Sequence, residues 1–265
     1  MRIIDFHTHA FPDSLAPRAM ESLTAGVPDW PAYHDGTIAG LLRSMDIAGI
    51  HAAVIANIAT KPSQERPILD WSKSIQAERI IPFISLHPDG EGHDALLDEA
   101  VEAGIRGVKF HCLYQDFVVD EDRALRMYER IAARDLVILF HAGRDPVWPT
   151  SEDASPARLL RIHRRFPQLR MVAAHTGAWR MWDEVAEHLA GEDLWLELSF
   201  AGDVPDEAWA TIWERHSPGR YVFGSDSPWT DQVKTLEQVR RRLGDEGITA
   251  QVLESNPSRL LGLNS

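Results

Sequence analysis

Val137-Ile138-Leu139-Phe140-His141-Ala142-Gly143 is an apolar run that stops at a histidine and then a glycine. The same figure recurs at Val172-Ala173-Ala174-His175-Thr176-Gly177, with a close variant at Gly107-Val108-Lys109-Phe110-His111. Strands that are almost wholly apolar suit a sheet buried on both faces, and hence a parallel one. Outward from these three, similar runs predict strands at Arg2–Thr8, Ile50–Ile58, Ile80–His87, Ile105–His111, Leu136–His141, Leu169–His175, Leu194–Phe200 and Tyr221–Ser225. Helical patterns alternate with them, at Ile38–Ala48, Gln64–Ala77, Ala95–Ala103, Arg123–Ala133, Ala157–Phe166, Trp182–Leu189, Asp206–His216 and Gln232–Leu243, with a last one from about Ala250 to Leu261. Ser155-Pro156 and Pro205-Asp206 read as helix starts, and Gly49, Gly104 and Gly244 as stops.

Eight βα units of about 33 residues account for all 265 positions, a size typical of a (β/α)8 barrel. The expectation is an α/β fold, a single-domain TIM (β/α)8 barrel over residues 1–265. A doubly wound open sheet is the rival. The first strand, however, lacks the Gly-x-Gly-x-x-Gly turn of its dinucleotide-binding version. Nothing reads as an interdomain linker or as a short repeat beyond the βα alternation. Two connections exceed what a bare barrel requires, Ala10–Thr37 and Gly143–Ser155. Both follow strands, so both are expected over the C-terminal mouth, where barrel active sites form.

Composition narrows the function classes. An apolar content of 44% and a charged content of 25% are those of a soluble globular chain. No apolar run approaches the roughly 20 residues that a spanning helix needs, and the N-terminus reads directly into strand one without a signal sequence. The single cysteine, Cys112, rules out an intrachain disulfide framework. A cytoplasmic location is therefore expected, with no membrane partner. The formal charge of −13, from 40 acidic and 27 basic residues, argues against nucleic acid. The expected partner is a small molecule; the oligomeric state stays open, a homodimer included.

The chemistry collects at strand ends. His7 and His9 close strand one, Lys109 and His111 strand four, His141 strand five and His175 strand six, while Asp226 follows strand eight. In a barrel those ends converge on one small disc. Side chains two apart on a strand point the same way, so His7 and His9 can face the axis together. Asp5 shares their parity one step deeper, where it could orient a ligand. Three imidazoles and one carboxylate, His7, His9, His141 and Asp226, make a reasonable zinc shell with room for water. Each also has a plainer reading: His7 and His9 could be solvated or hydrogen-bonded surface histidines, His141 and His175 buried histidines bonded to a backbone carbonyl, and Asp226 before Pro228 a helix cap. Lys109 is costly inside a barrel wall unless paired; it could meet a carboxylate, bind an anionic substrate group, or be carboxylated to bridge two metals. His111 could touch substrate or a second metal. Arg144 and Arg180 are candidates for a substrate carboxylate, and Trp148 and Trp229 for an apolar pocket. Of the nine tryptophans, Trp179, Trp182, Trp195, Trp209 and Trp213 are expected to pack helices on the barrel. The remaining histidines (34, 51, 87, 93, 163, 188 and 216) read as surface or structural, and Cys112 as packing.

In combination and order, Asp5-Phe6-His7-Thr8-His9, Gly107-Val108-Lys109-Phe110-His111, Phe140-His141-Ala142-Gly143, Ala174-His175-Thr176-Gly177 and Phe223-Gly224-Ser225-Asp226-Ser227-Pro228 resemble the amidohydrolase superfamily. The resemblance is to the amidohydrolase-2 branch, which also holds aminocarboxymuconate-semialdehyde decarboxylase. The closing Asn256-Pro257-Ser258-Arg259-Leu260-Leu261-Gly262 resembles its C-terminal helix. The resemblance implies a divalent metal, Zn2+ above others, held by His7, His9, His141 and Asp226, with Asp226 and His175 as acid–base groups. It implies water activated to attack an amide, ester or lactone carbonyl. Decarboxylase relatives use the same cage without net hydrolysis, and two-metal members add a group at strand four, near Lys109. Three functions therefore compete: a metal-dependent hydrolase, a non-oxidative decarboxylase of an aromatic or unsaturated acid, and a non-enzymatic ligand-binding barrel.

Overall fold

The computed structural model describes residues 1–27 and 30–263; Pro28 and Asp29, part of the first long connection, lie outside the described residues. Eight parallel strands alternate with helices: β1 (Ile4–Thr8), β2 (Ala52–Ala56), β3 (Ile80–Phe83), β4 (Gly107–Phe110), β5 (Val137–Phe140), β6 (Arg170–Ala173), β7 (Trp195–Glu197) and β8 (Tyr221–Val222). Continuous ladders join β1-β2-β3 and β4 through β8. Two seams remain, and hydrogen bonds close both. The Lys109 amide donates to the Ile84 carbonyl at 2.8 Å between β3 and β4, and the Phe6 amide to the Phe223 carbonyl at 2.7 Å between β1 and β8. A parallel bridge pairs Thr8 with Ser227 at the same seam. The sheet is a closed (β/α)8 barrel, which among the described residues leaves no strand edge unpaired.

The expected strands all form, but shorter, because their polar ends leave the ladder and turn into the mouth. Alternate residues serve two cores. Phe6, Val54, Phe83, Leu139, Val172 and Trp195 fill the barrel, while Ile55, Val108, Ile138, Met171 and Leu196 face the helices. Phe110, Tyr128 and Phe140 meet with ring centroids 5.2–5.9 Å apart, fastening the helix Asp122–Ala132 to the wall. Burying an aromatic side chain this way contributes about 1.5–3 kcal/mol.

Strand one departs from regular pairing. Its register against β2 shifts between Asp5 and Thr8, a β-bulge. A bulge re-aims side chains, and here it separates Asp5 from His7. Asp5 does not orient an imidazole as its parity implied. Its buried carboxylate accepts from the His7 amide, the Ser225 amide and hydroxyl, and Gln232 Nε2, at 2.6–3.1 Å. It thereby ties β1 to the turn that carries Asp226. Burial pushes this carboxyl up to about 6, against the pull of those donors.

The first long connection contains a helix that its Pro-, Asp- and Gly-rich composition hid, α1 (Ala16–Ala25). Pro17 falls in its first turn, where a missing amide costs nothing. The segment at the chain end begins earlier than expected, as Glu246–Ala250, a π-turn over Gln251–Ser255, and then Asn256–Leu261. Asp226 is not a helix cap: the helix after it starts at Gln232 and is capped by Asp231. Among the described residues, no helix is long and apolar enough to cross a membrane.

Candidate metal centre

A cavity of about 660 Å3 opens at the C-terminal end of the barrel, lined by His7, His9, Lys109, His111, His141, His175 and Asp226. The strand ends thus do converge. Trp229 and Arg144 also line the cavity, as expected. Arg180 and Trp148 are not among its lining residues. Arg180 lies on the exposed outer side of Trp179, its guanidinium 4.5 Å from the ring centroid. Trp148 packs against the edge of Tyr114, so Tyr114 takes the lining position instead. Trp179 was expected behind a helix but faces the cavity, and Trp195 belongs to the barrel interior. Further aromatic walls come from Trp30, Trp71, Phe11 and Phe200, and α1 contributes Ala19 and Leu23.

His7, His9 and Asp226 form one donor group. Asp226 Oδ1 lies 3.3 Å from His7 Nε2 and 3.0 Å from His9 Nε2. Tetrahedral ligands about 2.1 Å from a common ion stand about 3.4 Å from one another, so these gaps suit a divalent cation. Two imidazoles and a carboxylate are a donor set for zinc or manganese alike. Asp226 reaches this position through a left-handed backbone, φ 63°, and His175 is held the same way, φ 63°. Such conformations cost of order 1–3 kcal/mol each and persist where surrounding bonds enforce them; here the Asp226 amide donates to the His7 carbonyl at 2.7 Å.

His141 does not join that group directly. It stands one imidazole away: His141 Nδ1 is 3.0 Å from His175 Nε2, and the His7 and His175 ring centroids are 5.2 Å apart. Its other nitrogen, Nε2, meets the Arg144 carbonyl at 3.1 Å. A carbonyl only accepts, so that contact fixes a proton on His141 Nε2 and a lone pair on Nδ1. His175 then donates from Nε2, and its Nδ1 accepts the Ser199 hydroxyl at 2.8 Å. Ser199 has no second proton, so its 2.9 Å contact with Glu197 requires Glu197 to donate. The environment agrees: complete burial raises the Glu197 carboxyl to about 8.

Glu197 was missed by the sequence reading, although a carboxylate ending an otherwise apolar strand was the available signal. Its Oε2 lies 3.1 Å from His7 Nδ1. A proton on Nδ1, given to Glu197, leaves the lone pair on Nε2, the nitrogen beside Asp226. Burial pushes His7, His111, His141 and His175 well below the ordinary imidazole range, with neighbouring histidines or Lys109 adding to the effect. All four are neutral at pH 7 and so hold lone pairs for a cation.

Lys109 is fully buried, and its Nζ sits 3.0 Å from His7 Nε2. No carboxylate pairs with it among the described residues. Burial lowers its amine to about 8, which the charges of Asp226 and Glu197 partly oppose. Two of the other histidines are held by hydrogen bonds: His93 Nε2 meets Glu65 at 3.0 Å and His87 Nδ1 accepts the Asp89 amide. Cys112 is buried, and burial pushes its thiol up to about 12, as suits packing.

The amidohydrolase family profile matches residues 4–263, nearly the whole chain. The chain belongs to the amidohydrolase-2 family. Its members are metal-dependent enzymes. No functionally curated protein matches it. Among solved structures it resembles 5-carboxyvanillate decarboxylase from Sphingomonas paucimobilis, at 16% identity and a TM-score of 0.74 over 99% of both chains. It resembles a probable 2-pyrone-4,6-dicarboxylic acid hydrolase from Acinetobacter baumannii at 13% identity and 0.71, over 99% of this chain and 100% of the other. A dihydroxybenzoic acid decarboxylase from Polaromonas, solved with manganese and an inhibitor, follows at 15% identity and 0.73, over 100% and 98%. At these identities the likeness establishes the shared barrel.

Proposed function

We propose that this amidohydrolase is a zinc-dependent, cytoplasmic hydrolase of a small amide, ester or lactone. The observation that carries the reading is the meeting of His7, His9 and Asp226 at 3.0–3.3 Å beside His175 in one cavity. His7 Nε2, His9 Nε2 and Asp226 Oδ1 would hold the ion, while His141, which the family resemblance adds as a ligand, stands one imidazole away, bonded to His175. When bound, a divalent ion there supplies Lewis acidity, polarising a carbonyl oxygen and lowering the pKa of water from about 16 toward 7. Asp226 accepts the proton that attacking water loses. His175, whose Nε2–H already donates to His141, delivers a proton to the leaving group. Arg144 binds a substrate carboxylate, and Trp229 with its aromatic neighbours covers the apolar part and excludes water.

One observation favours a second reading, a non-oxidative decarboxylase. Arg144 lines the cavity with a buried Nε that has no partner, a ready dock for an acid. The two separate in one assay. The purified protein is given a panel of lactones, esters and amides, and a panel of aromatic and unsaturated acids. Hydrolysis products are followed by NMR and headspace carbon dioxide by gas analysis, with and without a chelator. We expect hydrolysis that the chelator abolishes and zinc restores. Carbon dioxide without hydrolysis selects the second reading, and turnover indifferent to chelation rejects both.

A further inference from the structure

The connection between β2 and the helix Glu65–Ile75 walls the cavity three strands round the ring from β5, whose following turn carries Arg144. Asn57 opens that connection and lines the cavity. The residue is more than nine-tenths buried, and its Oδ1 has no hydrogen-bond partner among the described residues. We infer that Asn57, together with Gln64, is a recognition subsite for an uncharged hydroxyl or carboxamide group of the substrate, at the end remote from the carboxylate that Arg144 holds. The inference deepens the proposed function: it rests on Arg144 as the dock for an acid, and not on which bond is cleaved.

A buried polar atom without a partner is uncommon in a folded protein and calls for a use. Asn57 Oδ1 can only accept, so the group it serves must bring an N–H or an O–H. Gln64 lines the same wall and complements it. Its Oε1 already accepts the Thr60 hydroxyl at 3.0 Å and the Lys61 amide at 3.2 Å, which leaves the Nε2 donor for the cavity. An acceptor and a donor on one connection match a group that offers both, as a hydroxyl or a carboxamide does. A second carboxylate, an ether or a methyl group brings no donor to Asn57. The connection is also held in place: Gln115 Nε2 donates to the Ala59 carbonyl at 2.9 Å and to the Leu86 carbonyl at 2.8 Å, tying this wall to the turns after β3 and β4. Ile68 and Trp71 add apolar surface from the helix that follows, so the substrate between its two polar ends is apolar. A site built around a buried hydrogen-bonding group rejects an analogue without the matching group, because the protein atom is then left unpaired.

The test is calorimetric binding, to zinc-loaded full-length protein, of phenylacetate, hydrocinnamate and phenylbutyrate, each as its para-methyl, para-hydroxy and para-carbamoyl derivative. Within a series these acids share one carboxylate and differ only at the far end. For at least one chain length, we expect wild type to bind the hydroxy or carbamoyl acid about tenfold tighter than the methyl acid, and Asn57→Leu to bring that ratio to about one. No such preference in wild type at any length, or a preference that survives Asn57→Leu, overturns the subsite and leaves the hydrolase reading standing. No binding of any acid rejects the subsite together with the part given to Arg144. The full preference without hydrolysis of any lactone, ester or amide upholds the subsite and removes the hydrolase reading. Should Asn57→Leu fail to fold, a crystal of wild type with the tightest acid decides: its hydroxyl or carboxamide within about 3.2 Å of the Asn57 amide upholds the inference, and the same group placed elsewhere overturns it.

Discussion

At the scale of single residues, the site depends on which nitrogen carries each proton. Glu197 Oε2 contacts both His7 Nδ1 and Ser199, and its Oε1 accepts the Ser199 amide. Glutamine in its place has no satisfactory orientation. An amide NH2 at the Oε2 position opposes the His7 Nδ1 proton; turned over, it opposes the Ser199 amide. Glu197→Gln is therefore expected to weaken metal binding 10–100-fold, the usual effect of losing a ligand's orienting partner, as read by competition with a fluorescent chelator. Unchanged affinity would show that Glu197 does not set the His7 tautomer. Lys109 acts in the opposite sense. Its amine, lowered to about 8, is still mostly cationic at pH 7 and contacts the ligating nitrogen of His7. A unit charge about 5 Å from a second one costs about 3 kcal/mol at an effective dielectric near 20. Lys109→Met is expected to tighten divalent-metal binding at least tenfold, whereas a loss of affinity would mean that the lysine itself helps to hold the ion, as a carboxylated lysine does.

At the scale of elements, the turns after the strands carry the function. Gly143 has φ 83°, and a Cβ there would lie 2.4 Å from the Trp179 amide nitrogen. Backbone cannot yield as a side-chain tip can, so Gly143→Ala is expected to cost about 2–3 kcal/mol or more. A shifted urea midpoint with an unchanged slope would register it, and an unshifted midpoint would contradict the packing of this turn. The strands themselves were legible because β5 is wholly apolar, and β4 and β6 are so apart from Lys109 and Arg170, a pattern that admits few folds. The bulge in β1 was not. It arises from pairing against β2, and it reversed the reading of Asp5, which secures backbone rather than an imidazole. α1 was hidden because proline and glycine around it mark a loop, while Pro17 occupies the one turn that tolerates it.

At the scale of the whole molecule, the order and number of βα units implied closure, and hydrogen bonds at the β3–β4 and β8–β1 seams supply it. Closure is what brings His7 and Asp226, 219 positions apart in sequence (226 − 7), within 3.3 Å. Which donors share an ion was not legible, since it depends on side-chain direction after the strands end: His141 turned toward His111 and His175 rather than His9. Global stability should also respond to pH through a group far from the cavity. His216 is buried, packs 5.0 Å from Tyr221, accepts the Gly191 amide at Nδ1, and has its imidazole pushed down to about 4 by burial. Its folded value lies below its unfolded value near 6.5, so its contribution is complete above pH 6.5 and is lost as the pH falls toward 4. The full shift corresponds to about 3 kcal/mol. Urea midpoints at pH 7 and pH 5 should differ in wild type and differ less in His216→Phe; equal slopes would contradict the assignment. The central claim is that remote strand ends grip one cation. Anomalous diffraction at the zinc edge tests it most directly. The account predicts a peak about 2.0–2.2 Å from His7 Nε2, His9 Nε2 and an Asp226 oxygen, and a zinc-loaded crystal with no peak among those three would contradict it.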